Sequence, residues 1–311
     1  MNKIAFIFPG QGAQYVGMGK EFYDNFPEAK AVFDAADEAL GFDISKMCFD
    51  GPEEDLKLTR NTQPAILTMS IAALKVLESK GIKPEITAGL SLGEYAALVC
   101  SGVMDFKDAV QVVEKRGTYM QEAVPAGKGK MAALIGMDRE NVLKLCDDFG
   151  SYGVLEAANF NCPGQIVIGG ASEAVEKAVD AAKEYGAKKA VLLPVSAPFH
   201  TSMLSPAAEK LEVELKKLNF NDASVPVIAN VDAEVVESTD KYLPNLKNQV
   251  SSSVMWEDSI RKMIELGVDT FVEIGPGKSL CGFVKKIDRK LNFMNVEDMA
   301  SLEKALSKLE A

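Results

Sequence analysis

The chain has 311 residues, of which 47% are hydrophobic and 25% are charged, and its formal net charge is −11. This is the composition of an ordinary globular protein of about two domains, and the negative charge argues against nucleic acid or an acidic membrane surface as the main partner. No stretch reaches the roughly 20 apolar residues that a membrane span needs, and the N-terminal apolar run is too short for a signal peptide.

The sequence offers few metal ligands and no disulfide framework. It contains one histidine, His200, and neither a CxxC pair nor an HExxH motif, so a zinc site lacks its usual ligands. The five cysteines are odd in number and widely spaced, at positions 48, 100, 146, 162 and 281. This cysteine usage fits a reducing compartment, and we expect a cytoplasmic protein.

The first part of the chain predicts a large α/β unit in which apolar strands lead into turns and helices. The predicted elements are a buried strand over 3–8, a glycine-rich turn over 9–14, helices over 27–40 and 63–79, a short strand over 86–88 and a helix over 105–123. Residues 125–129 resemble a linker, and the pattern changes after them.

The middle of the chain predicts a small inserted domain. Its elements are a strand over 131–135, a helix over 139–149, strands over 154–158 and 165–169, a helix over 173–185 and a strand over 189–194. This β-α-β-β-α-β order is the ferredoxin-like unit, so we assign 127–196 to it. The alternation then resumes, with a late strand over 269–274, and predicts one large α/β domain with a mostly parallel sheet from 1–126 and 197–311.

The segment Gly89-Leu90-Ser91-Leu92-Gly93 is the most informative motif. A Gly-x-Ser-x-Gly sequence between a strand and a helix is the pattern of a nucleophile elbow, which exposes the serine hydroxyl at the end of the strand. Because the following helix directs its free amides and positive dipole end at this point, Ser91 is a candidate to carry an acyl group. The same pattern also occurs where small residues are needed only for packing.

A nucleophilic serine needs a base, and the chain offers a single imidazole. His200 follows Pro198-Phe199 where the inserted domain returns to the large one, and such junctions commonly form ligand clefts. We therefore predict that His200 is the base, against the alternative of a loop histidine with an ordinary hydrogen bond.

Gln11 lies in the turn after the first strand, at the sheet edge where ligands bind in parallel sheets. Its backbone amide and that of Leu92 are candidates for an oxyanion hole. A dinucleotide-binding loop is the rival interpretation, but the third glycine of G-x-G-x-x-G would fall at Tyr15.

Arg116 occupies a core-facing position on the helix over 105–123. Its neighbours at i±3 and i±4 are apolar or aromatic, so no carboxylate of the same helix pairs with it. A buried guanidinium without a partner is costly, so either a distant Asp or Glu pairs with it or a ligand carboxylate does. The pattern alone favours the structural pairing and leaves the ligand carboxylate as the alternative.

Taken together, these motifs resemble the malonyl-CoA:acyl carrier protein transacylase family over nearly the whole chain. The resemblance rests on Phe8-Pro9-Gly10-Gln11-Gly12, Gly89 to Tyr95, Arg116-Gly117, Asn159-Phe160-Asn161, His200 and Val272 to Gly277. It implies a hydrolase-like large domain with an inserted ferredoxin-like domain. It also implies a ping-pong transfer of a malonyl group from malonyl-CoA to the phosphopantetheine thiol of acyl carrier protein, without a cofactor.

The resemblance also assigns roles to individual residues. Ser91 would be the acylated nucleophile, His200 its base and acid, and Arg116 the ligand of the malonyl carboxylate. The backbone amides of Gln11 and Leu92 would form the oxyanion hole. Gln249 would orient the histidine through its backbone carbonyl. Asn159, Asn161 and Phe199 would line the site, although local sequence alone makes the two asparagines turn residues.

Two features concern specificity and the partner. Many family members have His where this chain has Leu90, which removes a polar group near the site but not the base. An acidic carrier would need a local basic patch, and the candidates are Lys278, Lys285, Lys286, Arg289 and Lys290, with Lys188-Lys189 as a second cluster. A solvated helix face is the alternative interpretation of the first cluster.

Two other functions compete with acyl transfer. A serine esterase or thioesterase would use the same elbow but would give Arg116 no role. A non-catalytic carrier-binding protein would use Ser91 only for packing. The resemblance favours the transferase, as a monomer serving fatty acid synthesis.

Overall fold

The computed structural model describes residues 3–195 and 197–309, and these residues form two sheets flanked by helices. The strands are β1 Ile4–Phe8, β2 Ile86–Gly89, β3 Gly129–Ile135, β4 Leu155–Cys162, β5 Gln165–Ala171, β6 Lys189–Leu192, β7 Val227–Ile228, β8 Thr270–Ile274 and β9 Asn292–Val296. The helices are α1 Lys20–Asn25, α2 Pro27–Leu40, α3 Ile44–Asp50, α4 Glu53–Leu56, α5 Thr59–Ser79, α6 Gly93–Cys100, α7 Phe106–Glu122, α8 Arg139–Phe149, α9 Ser172–Ala181, α10 Ser205–Leu215, α11 Tyr242–Ser251, α12 Trp256–Glu265, α13 Ser279–Ile287 and α14 Met299–Leu309.

The larger sheet has the strand order β7-β2-β1-β8-β9, and every neighbouring pair is parallel. Side chains of β1 alternate between two cores. Phe6 and Phe8 pack with α2, α5 and α7, whereas Ala5 and Ile7 pack with α12 and α13. Burial on both faces explains why the strand is a continuous apolar run in the sequence.

The smaller sheet has the order β4-β5-β3-β6 with antiparallel pairs, and α8 and α9 pack against it around a core of its own. This is the strand order of the ferredoxin-like unit. The predicted α/β class, with a mostly parallel sheet and a ferredoxin-like unit, is therefore confirmed. The boundaries at 126/127 and 196/197 stay a prediction, and residue 196 lies outside the described residues, as do 1, 2, 310 and 311.

The prediction that Asn159 and Asn161 are turn residues was wrong. β4 continues through both of them to Cys162, with register shifts against β5 between 157 and 159 and between 160 and 162. The extension is stabilised by the larger unit, because the backbone amides of Val254 and Phe160 bond the carbonyls of Ala158 and Val254, each at 2.9 Å. β4 thereby carries both asparagines to the junction of the two sheets.

Helix α5 begins at Thr59 and not at residue 63 as the apolar pattern predicted. Its first turn is buried although it is polar: Thr59 and Thr62 are 3% and 0% exposed. Thr62 satisfies its hydroxyl by donating to the Leu56 carbonyl at 2.6 Å. A hydrophobic periodicity does not detect such residues. None of the helices in the described ranges has the length and apolar character that crossing a membrane requires.

The elbow between β2 and α6 is held by close backbone contacts that only glycine permits. A Cβ added at Gly89 would lie 1.8 Å from the Gly93 carbonyl, and one added at Gly93 would lie 2.2 Å from the Phe8 carbonyl oxygen. Ser91 itself has φ 54°, in the left-handed region that side chains rarely adopt. Helix α6 can thus begin directly against the ends of β1 and β2.

We expect Gly93→Ala to lower the free energy of unfolding by ~1–3 kcal/mol, because the added methyl group must displace backbone. Gly282→Ala is the matched control, since a Cβ at this position in α13 meets nothing within 4 Å. It should raise the same quantity by ~0.5–1 kcal/mol through helix propensity. Urea unfolding followed by circular dichroism measures both, and equal effects would contradict the described elbow.

Candidate active site

Three adjacent strands bring polar side chains to one edge of the parallel sheet. Asn230 follows β7, Ser91 follows β2 and Gln11 follows β1, each at the carboxyl end of its strand. Asn230 fixes the elbow, because its Oδ1 accepts from the Ser91 amide at 2.6 Å and its Nδ2 donates to the Gly89 carbonyl at 2.7 Å. The Ser91 hydroxyl is left free to face the other site residues.

Ser91 and His200 form a hydrogen-bonded pair although 108 residues separate them in the chain. The Ser91 Oγ to His200 Nε2 distance is 2.7 Å, and both residues are buried. His200 Nδ1 lies 2.7 Å from the Gln249 carbonyl oxygen, which can only accept. The proton therefore resides on Nδ1, and Nε2 is the lone-pair nitrogen that faces the serine.

The environment keeps His200 neutral. Burial, reinforced by the positive charge of Arg116, lowers the pKa of His200 to about 3, and the Gln249 carbonyl opposes this only in part. An imidazole with this pKa is uncharged at neutral pH and can accept the proton of a serine hydroxyl.

Arg116 lies almost fully buried beside the pair, at 1% exposure. Its Nη1 donates to Gln63 Oε1 at 2.8 Å, and its Nη2 donates to Gln249 Oε1 at 2.8 Å and to Ser91 Oγ at 3.2 Å. Its Nε has no hydrogen-bond partner among the described residues. Within the same residues no Asp or Glu forms an ion pair with it, so the alternative of a distant structural carboxylate was wrong.

The backbone amides of Gln11 and Leu92 flank the elbow. The Gln11 turn packs against it closely, since a Cβ on Gly10 would lie 2.6 Å from the Leu90 carbonyl oxygen. Within the described residues neither amide donates to a protein acceptor. The Ser91 amide, in contrast, is already bound to Asn230 and is not free to donate to a substrate.

The remaining predicted lining residues are buried at the junction of the two sheets. Asn159, Asn161 and Phe199 are 9%, 7% and 8% exposed. Asn159 forms a parallel bridge with Val254, and Phe199 belongs to the core of the larger unit. Neither asparagine side chain hydrogen-bonds Ser91, His200 or Arg116 in the part of the chain that the structure describes.

Sequence reasoning missed Glu94 and Asn230. Glu94 is 2% exposed, and its Oε2 accepts from Gln249 Nε2 at 2.7 Å and from the Asn230 amide at 3.1 Å. Burial raises the pKa of Glu94 to about 7, while these hydrogen bonds and Arg116 lower it. Glu94 had a signal, a charged residue at the start of an otherwise apolar helix. Asn230 had none, because β7 is only two residues long.

The surface carries a cleft and a groove that bear on ligand and partner binding. A cleft of about 350 Å³ borders Gln11 and is lined also by Leu58, Thr59, Gln121 and Val195. A groove between α13 and α14 is lined by Lys278, Lys285, Lys304 and Lys308. The last two lysines were not among the predicted docking residues, since they lie on a separate helix. Among the described residues no group of His, Cys, Asp and Glu is arranged to hold a metal ion.

The chain is similar to known acyltransferases over its whole length. The acyl transferase domain family matches residues 5–304. Malonyl CoA-acyl carrier protein transacylase of Bacillus subtilis (strain 168) is 51% identical over 311 residues, covering 100% of this chain and 98% of the relative. The protein of the same name from Escherichia coli (strain K12) is 45% identical over 307 residues, covering 98% and 99%.

Solved structures show the same similarity to malonyl-transacylases. That of malonyl CoA-acyl carrier protein transacylase from Clostridium perfringens has a TM-score of 0.97 and 53% identity, covering 99% of this chain and 97% of the other. A malonyl-transacylase in complex with a type II PKS acyl-carrier protein has a TM-score of 0.96 and 43% identity, covering 98% and 99%.

The pKa of His200 can be measured directly by NMR, because the chain contains only one histidine. We expect the ring signals of ¹⁵N-histidine-labelled protein to stay those of a neutral imidazole from pH 8 to pH 5, whereas an unperturbed imidazole titrates near pH 6.5. The pKa of His200 is lower in the folded protein than in the unfolded chain. The contribution of His200 to the free energy of unfolding is therefore complete above about pH 6.5 and is lost as the pH falls toward 3.

Arg116→Met is the companion variant. It removes the nearby positive charge that lowers the pKa of His200, so the NMR midpoint should move upward. A wild-type midpoint close to 6.5, or no change in Arg116→Met, would contradict the described electrostatics.

Proposed function

Because this chain belongs to the acyl transferase family, and within it to the malonyl CoA-acyl carrier protein transacylases, we propose that it moves a malonyl group in two steps through an ester on Ser91. The overall reaction transfers malonyl from malonyl-CoA to an acyl carrier protein. The observation that carries the mechanism is the 2.7 Å pair of Ser91 Oγ and His200 Nε2 beside a buried arginine without a carboxylate.

In the first step His200 Nε2 takes the Ser91 proton, and the serine oxygen attacks the thioester carbonyl of malonyl-CoA. The negative oxygen of the tetrahedral intermediate accepts hydrogen bonds from the backbone amides of Gln11 and Leu92. The C–S bond then breaks, CoA leaves as the thiol with the proton held by His200, and malonyl remains on Ser91. The Gln249 carbonyl holds the imidazole in the required tautomer and stabilises its protonated form.

In the second step the phosphopantetheine thiol of the carrier protein attacks the malonyl-serine ester. His200 accepts the thiol proton and returns it to Ser91 Oγ as the ester C–O bond breaks. The same residues thus act in both half-reactions, the acylation of Ser91 and the transfer of malonyl to the carrier thiol. The cleft beside Gln11 is the route we propose for the pantetheine arm, since Gln11, one of the two residues of the proposed oxyanion hole, lines it.

Arg116 selects the substrate in this proposal. Its fork suits a carboxylate, and an acetyl group would leave the guanidinium buried without an anion. The bound malonyl carboxylate would also offset the charge that lowers the pKa of His200. A carboxylated acyl group therefore strengthens the base that its own transfer requires. An esterase would have no use for this residue.

Leu90 replaces the histidine that many family members have before the nucleophile. Its side chain packs with the apolar layer of Ala5, Ile7 and α12. The leucine side chain takes no part in the hydrogen bond between Ser91 and His200, so the substitution leaves the proposed base in place.

The partner is an acyl carrier protein, and we propose that it docks on the basic surface formed by Lys278, Lys285, Lys286, Arg289 and Lys290. All five are exposed. Lys304 and Lys308 extend the same surface across the adjoining groove. We also propose, from the family resemblance and from five free cysteines, a cytoplasmic monomer that needs no cofactor besides its substrates.

Intact mass spectrometry after mixing with malonyl-CoA tests the mechanism. The wild-type protein should gain one malonyl group that a carrier thiol removes and water does not, and Ser91→Ala should gain none. Release of free malonate without a carrier would favour a thioesterase, and no adduct on the wild type would leave only a carrier-binding role.

Arg116→Ala should reduce the rate of malonyl loading relative to acetyl loading by roughly 100-fold, the value of a buried charge-assisted bidentate contact. Arg261→Ala is the control, because Arg261 forms an exposed ion pair with Glu257 of the same helix. An unchanged malonyl-to-acetyl ratio in Arg116→Ala would refute the carboxylate role.

The docking surface is tested by the Lys278→Glu/Lys285→Glu double variant. We expect the KM for the carrier protein to rise about tenfold or more at low salt, with malonyl loading unchanged, because rim charges act mainly on association. Lys46→Glu, an exposed lysine on α3, controls for charge alone. If both variants behave alike, the carrier docks elsewhere.

A further inference from the structure

Glu94 lies behind the site, on the opposite side of Gln249 from Arg116. It is the second residue of α6 and is 2% exposed. No lysine, arginine or histidine of the described chain forms an ion pair with it. Burying a carboxylate without a cation is energetically unfavourable, so we expect the hydrogen bonds of Glu94 to offset the free energy of its desolvation.

The Gln249 side chain is the link between Glu94 and Arg116. Its Nε2 donates to Glu94 Oε2 at 2.7 Å and to the Ser91 carbonyl at 2.9 Å, while its Oε1 accepts from Arg116 Nη2 at 2.8 Å. A reversed amide would set oxygen against two acceptors and nitrogen against a guanidinium. Because Glu94 and the Ser91 carbonyl both accept from the Gln249 nitrogen, the Gln249 oxygen must face Arg116.

We propose that Glu94 is a positioning residue that makes the site selective for carboxylated acyl groups, because it orients the Gln249 amide and, through it, the Arg116 fork. The inference rests on the proposed function and adds to it a residue that touches neither substrate nor nucleophile side chain. With Gln249 Oε1 and Gln63 Oε1 holding its two terminal nitrogens, Arg116 is fixed before the substrate arrives.

Glu94 also has a second link, and it must be separated from the first. The Asn230 backbone amide donates to Glu94 Oε2 at 3.1 Å, and Asn230 Oδ1 holds the Ser91 amide. Damage through this link would misplace the nucleophile and slow malonyl and acetyl loading equally. Damage through Gln249 and Arg116 would slow malonyl loading selectively. The ratio of the two loading rates therefore reports on the proposed link alone.

The experiment compares Glu94→Met with Glu94→Gln by single-turnover loading of Ser91 from malonyl-CoA and acetyl-CoA. Both replacements have nearly the volume of glutamate, but only glutamine keeps an oxygen acceptor for Gln249. We expect Glu94→Met to lower the malonyl-to-acetyl rate ratio roughly tenfold, the effect of one buried hydrogen bond. Glu94→Gln should keep the ratio within about threefold of the wild type.

An equal loss for both acyl groups in Glu94→Met, or an unchanged ratio, would overturn the proposal. If Glu94→Met does not fold, Gln249→Met can still refute the proposal, because it removes the linking amide and keeps the backbone carbonyl that binds His200. It should show the same tenfold loss of ratio, and an unchanged ratio would refute the link. Failure of the proposed function is a different result, namely no malonyl adduct on the wild-type protein.

Discussion

A guanidinium buried without a carboxylate is the constraint on which the site depends. Amide oxygens of Gln63 and Gln249 satisfy the terminal nitrogens of Arg116 but do not neutralise its charge. Burial accordingly lowers the pKa of Arg116, and the same positive charge acts on the neighbouring imidazole. The site therefore holds an uncompensated positive charge directly beside its nucleophile, and an anionic ligand group would neutralise it.

The rest of the fold supports this arrangement at short range. The parallel sheet brings the ends of β7, β2 and β1 side by side, which gathers Asn230, Ser91 and Gln11 from distant parts of the chain. Glycines 89 and 93 let the serine turn pack against β1. His200 reaches the site from the segment that follows the smaller sheet, and like Ser91 it adopts a positive φ, of 60°. Such strained backbone conformations persist only where the surrounding structure holds them, so the packing around Ser91 and His200 fixes the geometry of both residues.

The sequence predicted what depends on local pattern. Apolar runs located β1 and β8, glycine spacing located the elbow, and a charge on an apolar helix face singled out Arg116. It failed where tertiary contacts decide. β4 runs through two asparagines because the larger unit supplies hydrogen bonds there, and α5 begins with buried threonines. Asn230 follows a strand too short to recognise, and the linking role of the Gln249 side chain exists only once α11 and α6 meet.

A crystal structure of the malonyl-loaded protein is the decisive test of the role of Arg116, since it shows where the malonyl carboxylate binds. We expect an ester on Ser91 whose malonyl carboxylate lies within hydrogen-bond distance of the Arg116 guanidinium, with the ester carbonyl oxygen between the amides of Gln11 and Leu92. A malonyl carboxylate that faces solvent, with Arg116 still held only by Gln63, Gln249 and Ser91, would contradict it.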